Sequence, residues 1–153
     1  MRDMRIQPDF LREQALWEKG IDAVAGVDEV GVGSWAGPVV AAAVILSPSA
    51  LIDGLADSKM LTAKRRETLS ITITERASAI GIGQAEAAEV DHLNIYWAAM
   101  LARRRAVEAL ALGPEHILAD GRHRIAGCGL PQTPWWKVTR VAGASRRLRL
   151  LPK

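Results

Sequence analysis

Residues 25–40 read AGVDEVGVGSWAGPVV, where Asp28 and Glu29 interrupt an apolar run and a glycine-rich stretch precedes a second apolar run. Short apolar runs bounded by glycine and proline are typical of buried strands. The second run, PVVAAAVIL at residues 38–46, shows no polar alternation, which is typical of a strand covered on both faces. The stretch therefore predicts two strands, the first of which ends with a pair of acids.

Further helices and strands are predicted on both sides of this stretch. We expect an N-terminal helix over residues 8–20, a helix begun by Thr62, a strand over 79–86, a long helix ending near Gly113, and strands over 116–121 and 133–138. The long helix is marked by an apolar face of Leu93, Trp97, Met100, Leu101 and Val107. Strands and helices mixed within one chain of 153 residues predict a single α/β sheet domain.

Composition and charge narrow the class of protein. Apolar residues make up 49% of the chain, and no apolar stretch reaches the roughly 20 residues that a membrane span needs. The N-terminus is too polar for a signal peptide, and the single cysteine, Cys128, excludes an internal disulfide and a cysteine-only metal cage. The net charge of +3 comes from the basic residues 138–153, so it does not by itself indicate a nucleic-acid partner. We expect a cytoplasmic protein.

Acids stand at the ends of two predicted strands. Asp28 and Glu29 end the first, and Asp120 ends the strand HILAD. Carboxylates held a few ångströms apart raise each other's pKa and destabilise the fold unless a cation compensates. Mg²⁺ prefers such oxygen ligands, and a pair of ions stabilises the attacking and leaving oxygens in phosphodiester cleavage. The alternative is that these acids mark only where a strand emerges into solvent.

The glycines beside the acids allow two interpretations. Gly31 and Gly33 leave bare backbone against which a sugar-phosphate chain can lie. GVGSWA at residues 31–36 also matches the dinucleotide-binding fingerprint, with Asp53 at a plausible distance for a ribose contact. That fingerprint must open a helix, whereas the strand-like residues 38–46 follow here, so a dinucleotide-dependent enzyme is disfavoured.

Other residues that attract attention have simpler interpretations. The run RRR at residues 103–105 is interpreted as a solvated helix face, with phosphate contact as the alternative. Trp135 and Trp136 can stack on bases, but a strand next to the core favours packing for one of them. No role is assigned to Cys128. The three histidines show no metal-ligand spacing and are expected in loops or on the surface: His92, His116 and His123.

Four ordered blocks of the chain resemble the ribonuclease HII family. They are AGVDEVGVGSWAGPVVAAAVIL at 25–46, DSKMLTAKRRETL at 57–69, HLNIYWAAMLARRRAVEAL at 92–110 and ILADG at 117–121. The resemblance runs from about residue 8 to Lys137. It implies a ribonuclease H-like fold, in which helices flank a mixed central sheet. It also implies an endonuclease that depends on Mg²⁺ or Mn²⁺ and acts in DNA replication and repair.

The resemblance further implies a substrate and a set of site residues. The substrates are RNA/DNA hybrids and ribonucleotides embedded in duplex DNA, which are cut to leave 3′-hydroxyl and 5′-phosphate ends. By position, the catalytic metal ligands are Asp28, Glu29 and Asp120, and the substrate-binding residues are Gly31, Val32, Gly33, Ser58 and Lys59. Backbone contacts from the glycines suit recognition of the 2′-hydroxyl, which both donates and accepts hydrogen bonds.

The chain departs from the family pattern at Val32. The family has an arginine between the two glycines, where this chain has valine. A lost charge-assisted hydrogen bond to phosphate costs about 1.5–3 kcal/mol. We therefore expect weaker substrate affinity rather than altered chemistry.

The second departure follows Lys137, where the family continues with glycine-aspartate, a serine-rich helix and a fourth metal-binding aspartate. Residues 138–153, VTRVAGASRRLRLLPK, do not match this block. Read one base earlier, codons compatible with residues 138–149 can specify G-D-A-R-S-R-S-I-A-A-A-S, which is the block that is missing. We interpret the basic tail as a frameshift product, with a divergent tail as the alternative.

These observations predict an incomplete ribonuclease H-like catalytic domain over residues 1–137 and a non-homologous tail over residues 138–153. We expect a monomer without membrane contact, which acts on nucleic acid by two-metal-ion hydrolysis. This polypeptide is expected to be impaired, because the tail replaces the block that precedes the fourth aspartate. A non-catalytic module that binds hybrid duplexes is the alternative function.

Overall fold

A computed structural model describes residues 11–30, 37–49 and 62–135 of the chain. The order of elements is α1 (Leu11–Glu18), β1 (Val24–Val30), β2 (Val39–Ile45), α2 (Ala63–Arg76), β3 (Ala79–Ala85), α3 (Ala87–Leu93), α4 (Ile95–Glu108), β4 (His116–Asp120) and β5 (Gln132–Trp135). None of the helices within these ranges is long and apolar enough to cross a membrane.

The five strands form one mixed sheet in the order β3-β2-β1-β4-β5. β2 pairs antiparallel with both β1 and β3, whereas β4 pairs parallel with both β1 and β5. β1 is therefore the central strand, and Val27 of β1 pairs with Ala119 of β4. The next residues along the two strands, Asp28 and Asp120, consequently lie at the same edge of the sheet. The α/β sheet predicted from the sequence is confirmed.

β2 has the burial that its sequence predicts. All seven of its residues are buried, so both faces of the sheet are covered at this strand. Because β2 rather than a helix follows the glycine-rich stretch, the structural context that a dinucleotide-binding fingerprint requires is absent here. The stretch itself, residues 31–36, lies outside the described residues.

The helix that the sequence predicts to begin at Thr62 is confirmed as α2. It contains several β-branched residues, which have a lowered helix propensity. Within it, the hydroxyl groups of Thr68 and Thr72 donate to the carbonyl oxygens four residues earlier, at 3.1 and 3.0 Å. These bonds satisfy polar side chains on the helix itself, which is how threonine is accommodated in a helix interior.

The prediction of a single long helix that ends near Gly113, with a face marked by residues 93–107, is wrong in two respects. Asn94 has a positive φ of 71° and divides the segment into α3 and α4, and α4 ends at Glu108, well before Gly113. The predicted apolar face is also partly wrong, since Leu93 is 36% and Trp97 is 50% exposed. The buried face of α4 consists largely of small residues instead: Ala98, Ala99, Ala102 and Ala106.

Small residues on α4 are required because the helix lies directly against β3. A Cβ atom placed on Gly81 would lie 2.1 Å from the carbonyl oxygen of Ala106, and one on Gly83 would lie 2.1 Å from that of Ala102. Both distances are far shorter than any van der Waals contact. Glycine on the strand and alanine on the helix therefore allow the two backbones to come into contact. This contact sets the distance between α4 and the sheet.

Candidate metal centre at the ends of β1 and β4

The sheet places the three acids that the sequence predicts as ligands at the ends of two neighbouring strands. Asp28 and Glu29 lie near the end of β1, and Asp120 is the last residue of the neighbouring parallel strand β4. Of the predicted substrate-binding residues, none is described: Gly31, Val32, Gly33, Ser58 and Lys59. Their placement in the site remains a prediction.

Alternation along β1 sends its two acids to opposite faces of the sheet. Ala25 and Val27 belong to the core that includes the alanines of α4, so Glu29, two residues further, shares the α4 face. Asp28 points to the other face, as does Asp120 by its register with β1. The acids that are adjacent in sequence are therefore separated, and the close pair is Asp28 with Asp120.

Asp28 lies in an environment that disfavours its charge. Its side chain is 4% exposed, and burial, followed by the nearby charges of Asp120 and Glu29 and a hydrogen bond with Asp120, raises its pKa from 3.8 to about 8. The guanidinium of Arg103 acts in the opposite direction but does not offset these effects. Its Oδ1 also accepts a 2.8 Å hydrogen bond from the backbone N–H of Glu29. Burial and the neighbouring carboxylates thus favour the protonated form of Asp28 well above the pH at which an exposed aspartate ionises.

Arg103 is a residue of the site that the sequence analysis missed. The interpretation of residues 103–105 as a solvated face is wrong for Arg103, which is 6% exposed. Its Nε and Nη2 atoms contact Oε2 of Glu29, and Nη1 donates to the backbone oxygen of Asp120 at 2.6 Å. The spacing along the helix could have indicated that Arg103 is buried. It lies four residues after Ala99 and three before Ala106, which are both on the buried face of α4.

The other two arginines of the run differ from Arg103. Arg105 forms a bidentate pair with Glu89 at 2.8 Å, and Arg104 lies 3.6 Å from Glu108. Both arginines are about 40% exposed. Hydrogen bonding to Arg105, followed by a bond from the backbone of Glu86, lowers the pKa of Glu89 from 4.5 to about 2. The solvated-face interpretation therefore describes this pair better than it describes Arg103.

The expectation of loop or surface histidines holds for His92 and His123 but not for His116, which is half-buried within β4. His92 and His123 are exposed, and the ring of His123 makes an edge-to-face contact with Tyr96 at 6.0 Å between centroids. His116 is half-buried and hydrogen-bonds Thr133 at 2.8 Å, while burial lowers its pKa. Among residues 11–30, 37–49 and 62–135, no three His, Cys, Asp or Glu side chains form a ready-made metal cage.

The chemistry of the donors suits a hard divalent cation nonetheless. Asp28 and Asp120 supply carboxylate oxygens, and the raised pKa of Asp28 marks a place where positive charge is lacking. Glu29 lies on the opposite face of β1, where its Oε2 is in contact with Arg103. The described residues therefore hold a pair of acids that can bind a cation and a third acid that is already engaged.

Solved structures that resemble this chain define its class. The ribonuclease H2 from Pyrococcus horikoshii OT3 superposes with a TM-score of 0.67 and 20% identity, over 82% of this chain and 69% of that one. Bst-RNase HIII in complex with Mn²⁺ superposes with a TM-score of 0.58 and 23% identity, over 88% of this chain and 54% of that one. The fold is that of the ribonuclease H-like α/β proteins.

Sequence comparison identifies the family within this class. The ribonuclease HII family pattern matches residues 25–142, and ribonuclease HII of Myxococcus xanthus is 48% identical over 121 residues. The chain belongs to the ribonuclease HII family. That alignment covers 78% of this chain and 41% of the relative, and the chain spans about half the length of the curated relatives it matches.

Proposed function

We propose that the protein is a divalent-cation-dependent endoribonuclease that hydrolyses RNA in RNA/DNA hybrids and at single ribonucleotides in duplex DNA. The products are expected to carry 3′-hydroxyl and 5′-phosphate ends. The observation that carries the proposal is the juxtaposition of Asp28 and Asp120 at the ends of two parallel strands. Membership of the ribonuclease HII family supports the reaction class.

The ligands of the proposed cation are Asp28, Asp120 and, once released from Arg103, Glu29. A Mg²⁺ or Mn²⁺ ion held by these carboxylates would supply positive charge for hydrolysis of a phosphodiester. The chain's own contribution is to hold Asp28 with its proton until a cation replaces that proton. The Mn²⁺ found in the Bst-RNase HIII structure supports this choice of cation.

Substrate contacts are proposed for segments outside the described residues. Gly31 and Gly33 would place backbone groups against the ribonucleotide, and Ser58 with Lys59 would contact phosphate. Val32 cannot make the charged contact that an arginine would make at this position. We expect the protein to bind its duplexes more weakly than relatives with arginine there, by about tenfold or more.

The 153-residue polypeptide is proposed to be impaired in cleavage. The resemblance to the family implies a block with a fourth acidic ligand beyond Lys137, and residues 138–153 do not match that block. Loss of a ligand from a two-metal site is expected to lower activity at least 10- to 100-fold, the range typical of losing an outer partner. Binding of hybrid duplexes without cleavage is the function expected if the residual activity is negligible.

The test is cleavage of three labelled duplexes that differ only in one strand: all DNA, DNA with one ribonucleotide, and RNA. We expect slow cutting of the second and third duplexes with Mn²⁺ or Mg²⁺, none with chelator present, and none of the all-DNA duplex. Asp28→Asn should abolish cutting, whereas Asp91→Asn, at an exposed position on α3, should not affect it. Equal cutting by Asp28→Asn, or cutting that persists without a divalent cation, would contradict the proposal.

A further inference from the structure

The position of Arg103 is not that of an ordinary arginine on a solvated helix surface. It extends from α4 to the edge of the sheet where β1 and β4 end, and its side chain is 7% exposed there. A buried guanidinium needs an opposite charge and partners for its N–H groups. Arg103 finds the charge in Glu29 and a further acceptor in the backbone oxygen of Asp120.

All three guanidinium nitrogens are engaged by residues of the candidate metal centre. Nε and Nη2 contact the same oxygen of Glu29, and Nη1 donates to Asp120. The chain turns directly over the guanidinium at Gly121, whose φ is 109° and whose added Cβ would lie 3.9 Å from Nη1 and Nη2. A side chain at that φ is strained, so glycine is suited to this close turn.

The contact with Glu29 removes one acid from the set available to a cation. The three predicted ligands do not form a ready-made cage among the described residues, since Glu29 lies on the opposite face of β1 from Asp28 and its Oε2 contacts Arg103. A divalent cation that recruited Glu29 would break its charge-assisted hydrogen bonds to Arg103. It would also place its own charge close to the guanidinium, and both effects oppose binding.

We propose that Arg103 is a resident counter-charge of the acidic centre, which competes with the divalent cation for Glu29 and thereby weakens cation binding. Arg103 acts through Glu29 and is a positioning residue rather than a catalytic one. The inference rests on the cation site of the proposed function. It adds that this chain's own arginine sets the affinity of that site.

The experiment measures Mn²⁺ affinity directly, from the free-Mn²⁺ paramagnetic resonance signal, on the chelator-stripped full chain at fixed pH and ionic strength. Arg103→Met removes the charge at similar length and is expected to bind Mn²⁺ about tenfold more tightly than the wild type. Arg103→Lys keeps a charge and should stay close to the wild type. Arg104→Met removes a charge from the neighbouring position, away from Glu29, and should leave the affinity unchanged.

A second measurement uses the wild-type chain and therefore does not depend on the folding of a variant. In the wild-type chain, the Nε–H resonance of Arg103 should shift in step with Mg²⁺ saturation as Glu29 is withdrawn from it. An Nε–H resonance that stays constant while Mg²⁺ binds would overturn the inference.

The outcomes separate this inference from the function on which it rests. Tighter binding by Arg103→Met than by Arg104→Met and wild type supports the competition. Binding by wild type with equal or weaker binding by Arg103→Met overturns it and leaves the proposed cation site intact, since an arginine that only supported the fold or held Glu29 in place would give that result. Failure of every variant to bind Mn²⁺ contradicts the cation site and this inference together.

Discussion

At the scale of single residues, the proposed cation site depends on how strongly the fold disfavours negative charge at Asp28. The carboxyl group of Asp28 is buried near the end of β1, beside Asp120. Glu29 lies on the opposite face of the sheet. Burial of like charges is unfavourable, and it raises the pKa of Asp28, which favours the protonated form. A protonated acid that gives up its proton to an arriving cation couples metal binding to pH.

The raised pKa of Asp28 gives the metal-free protein a specific pH dependence. The folded chain keeps the proton up to a pKa of about 8, whereas the unfolded chain loses it near 3.8. The folded state therefore binds more protons between these values, and the stabilisation from Asp28 is complete below about pH 4 and is lost as the pH rises through 8. In chelator, the free energy of unfolding should fall by up to about 1.4 kcal/mol per pH unit in this window.

Urea unfolding between pH 4 and pH 8 measures this slope. Asp28→Asn carries no titrating group at the position and should flatten the slope relative to the wild type. Asp91→Asn is the matched control and should keep it. Identical slopes in the wild type and Asp28→Asn would show that Asp28 titrates alike in the folded and unfolded chains.

The sequence predicted the three acids but not their arrangement. Apolar runs on either side of Asp28 and before Asp120 reveal strands, and acids at strand ends are visible in the letters alone. Which acids face each other depends on strand order and register, which pair Val27 with Ala119 and so place Asp28 beside Asp120. The burial of Arg103 was missed because a run of three arginines suggests solvent exposure. Only its spacing from the buried residues of the helix indicates otherwise.

At the scale of elements, the break between α3 and α4 directs α4 across the sheet. Asn94 combines a φ of 71° with a side-chain oxygen that accepts from the backbone N–H of Trp97 at 3.1 Å. Asparagine is suited to both tasks, because it tolerates positive φ and caps helices. The continuous apolar pattern across residues 93–107 concealed this break, and only the local chemistry of asparagine signalled it.

Substitutions at Asn94 should separate the contribution of its positive φ from that of its helix cap. Asn94→Ala loses the cap and places a Cβ-bearing residue without local hydrogen bonding at positive φ, so we expect a cost of about 2–3 kcal/mol. Asn94→Gly loses the cap but not the conformation, and should cost only a few tenths of a kcal/mol. Chemical denaturation measures both values, and an alanine variant as stable as the glycine variant would refute the assignment.

The contact between α4 and β3 makes a second prediction at this scale. Gly83→Ala would drive a methyl group against the backbone of Ala102, at a distance that neither element can accommodate without moving. We expect a loss of at least about 1–3 kcal/mol in the free energy of unfolding. Gly113→Ala meets no atom within 4 Å and should change stability by less than about 0.5 kcal/mol. Equal effects of the two substitutions in thermal unfolding would show that the backbones are not in contact.

At the scale of the whole molecule, this chain matches the ribonuclease HII family over the residues that form its five-stranded sheet. The family match extends from residue 25 to residue 142, and the alignments with three curated relatives cover 41%, 46% and 59% of those proteins. Residues 136–153 lie outside the described part of the structure. The interpretation of residues 138–153 as a shifted reading frame therefore remains a prediction from the sequence.

Sequencing of the coding DNA from codon 130 onwards tests that prediction. The shifted frame requires AAG for Lys137, GTG for Val138 and ACG for Thr139, because only these third bases yield the glycine, aspartate and alanine of the missing block. One added or missing base near these codons, followed by a later aspartate in the restored frame, is the expected result. Codons with other third bases would establish a divergent tail.

The central claim is that the ends of β1 and β4 form a divalent-cation site, and anomalous diffraction from crystals grown with Mn²⁺ tests it most directly. We predict a Mn²⁺ peak within bonding distance of carboxylate oxygens of Asp28 and Asp120, with Glu29 drawn away from Arg103. A crystal in which Asp28 and Asp120 remain hydrogen-bonded to each other at saturating Mn²⁺, with no anomalous peak beside them, would contradict the account.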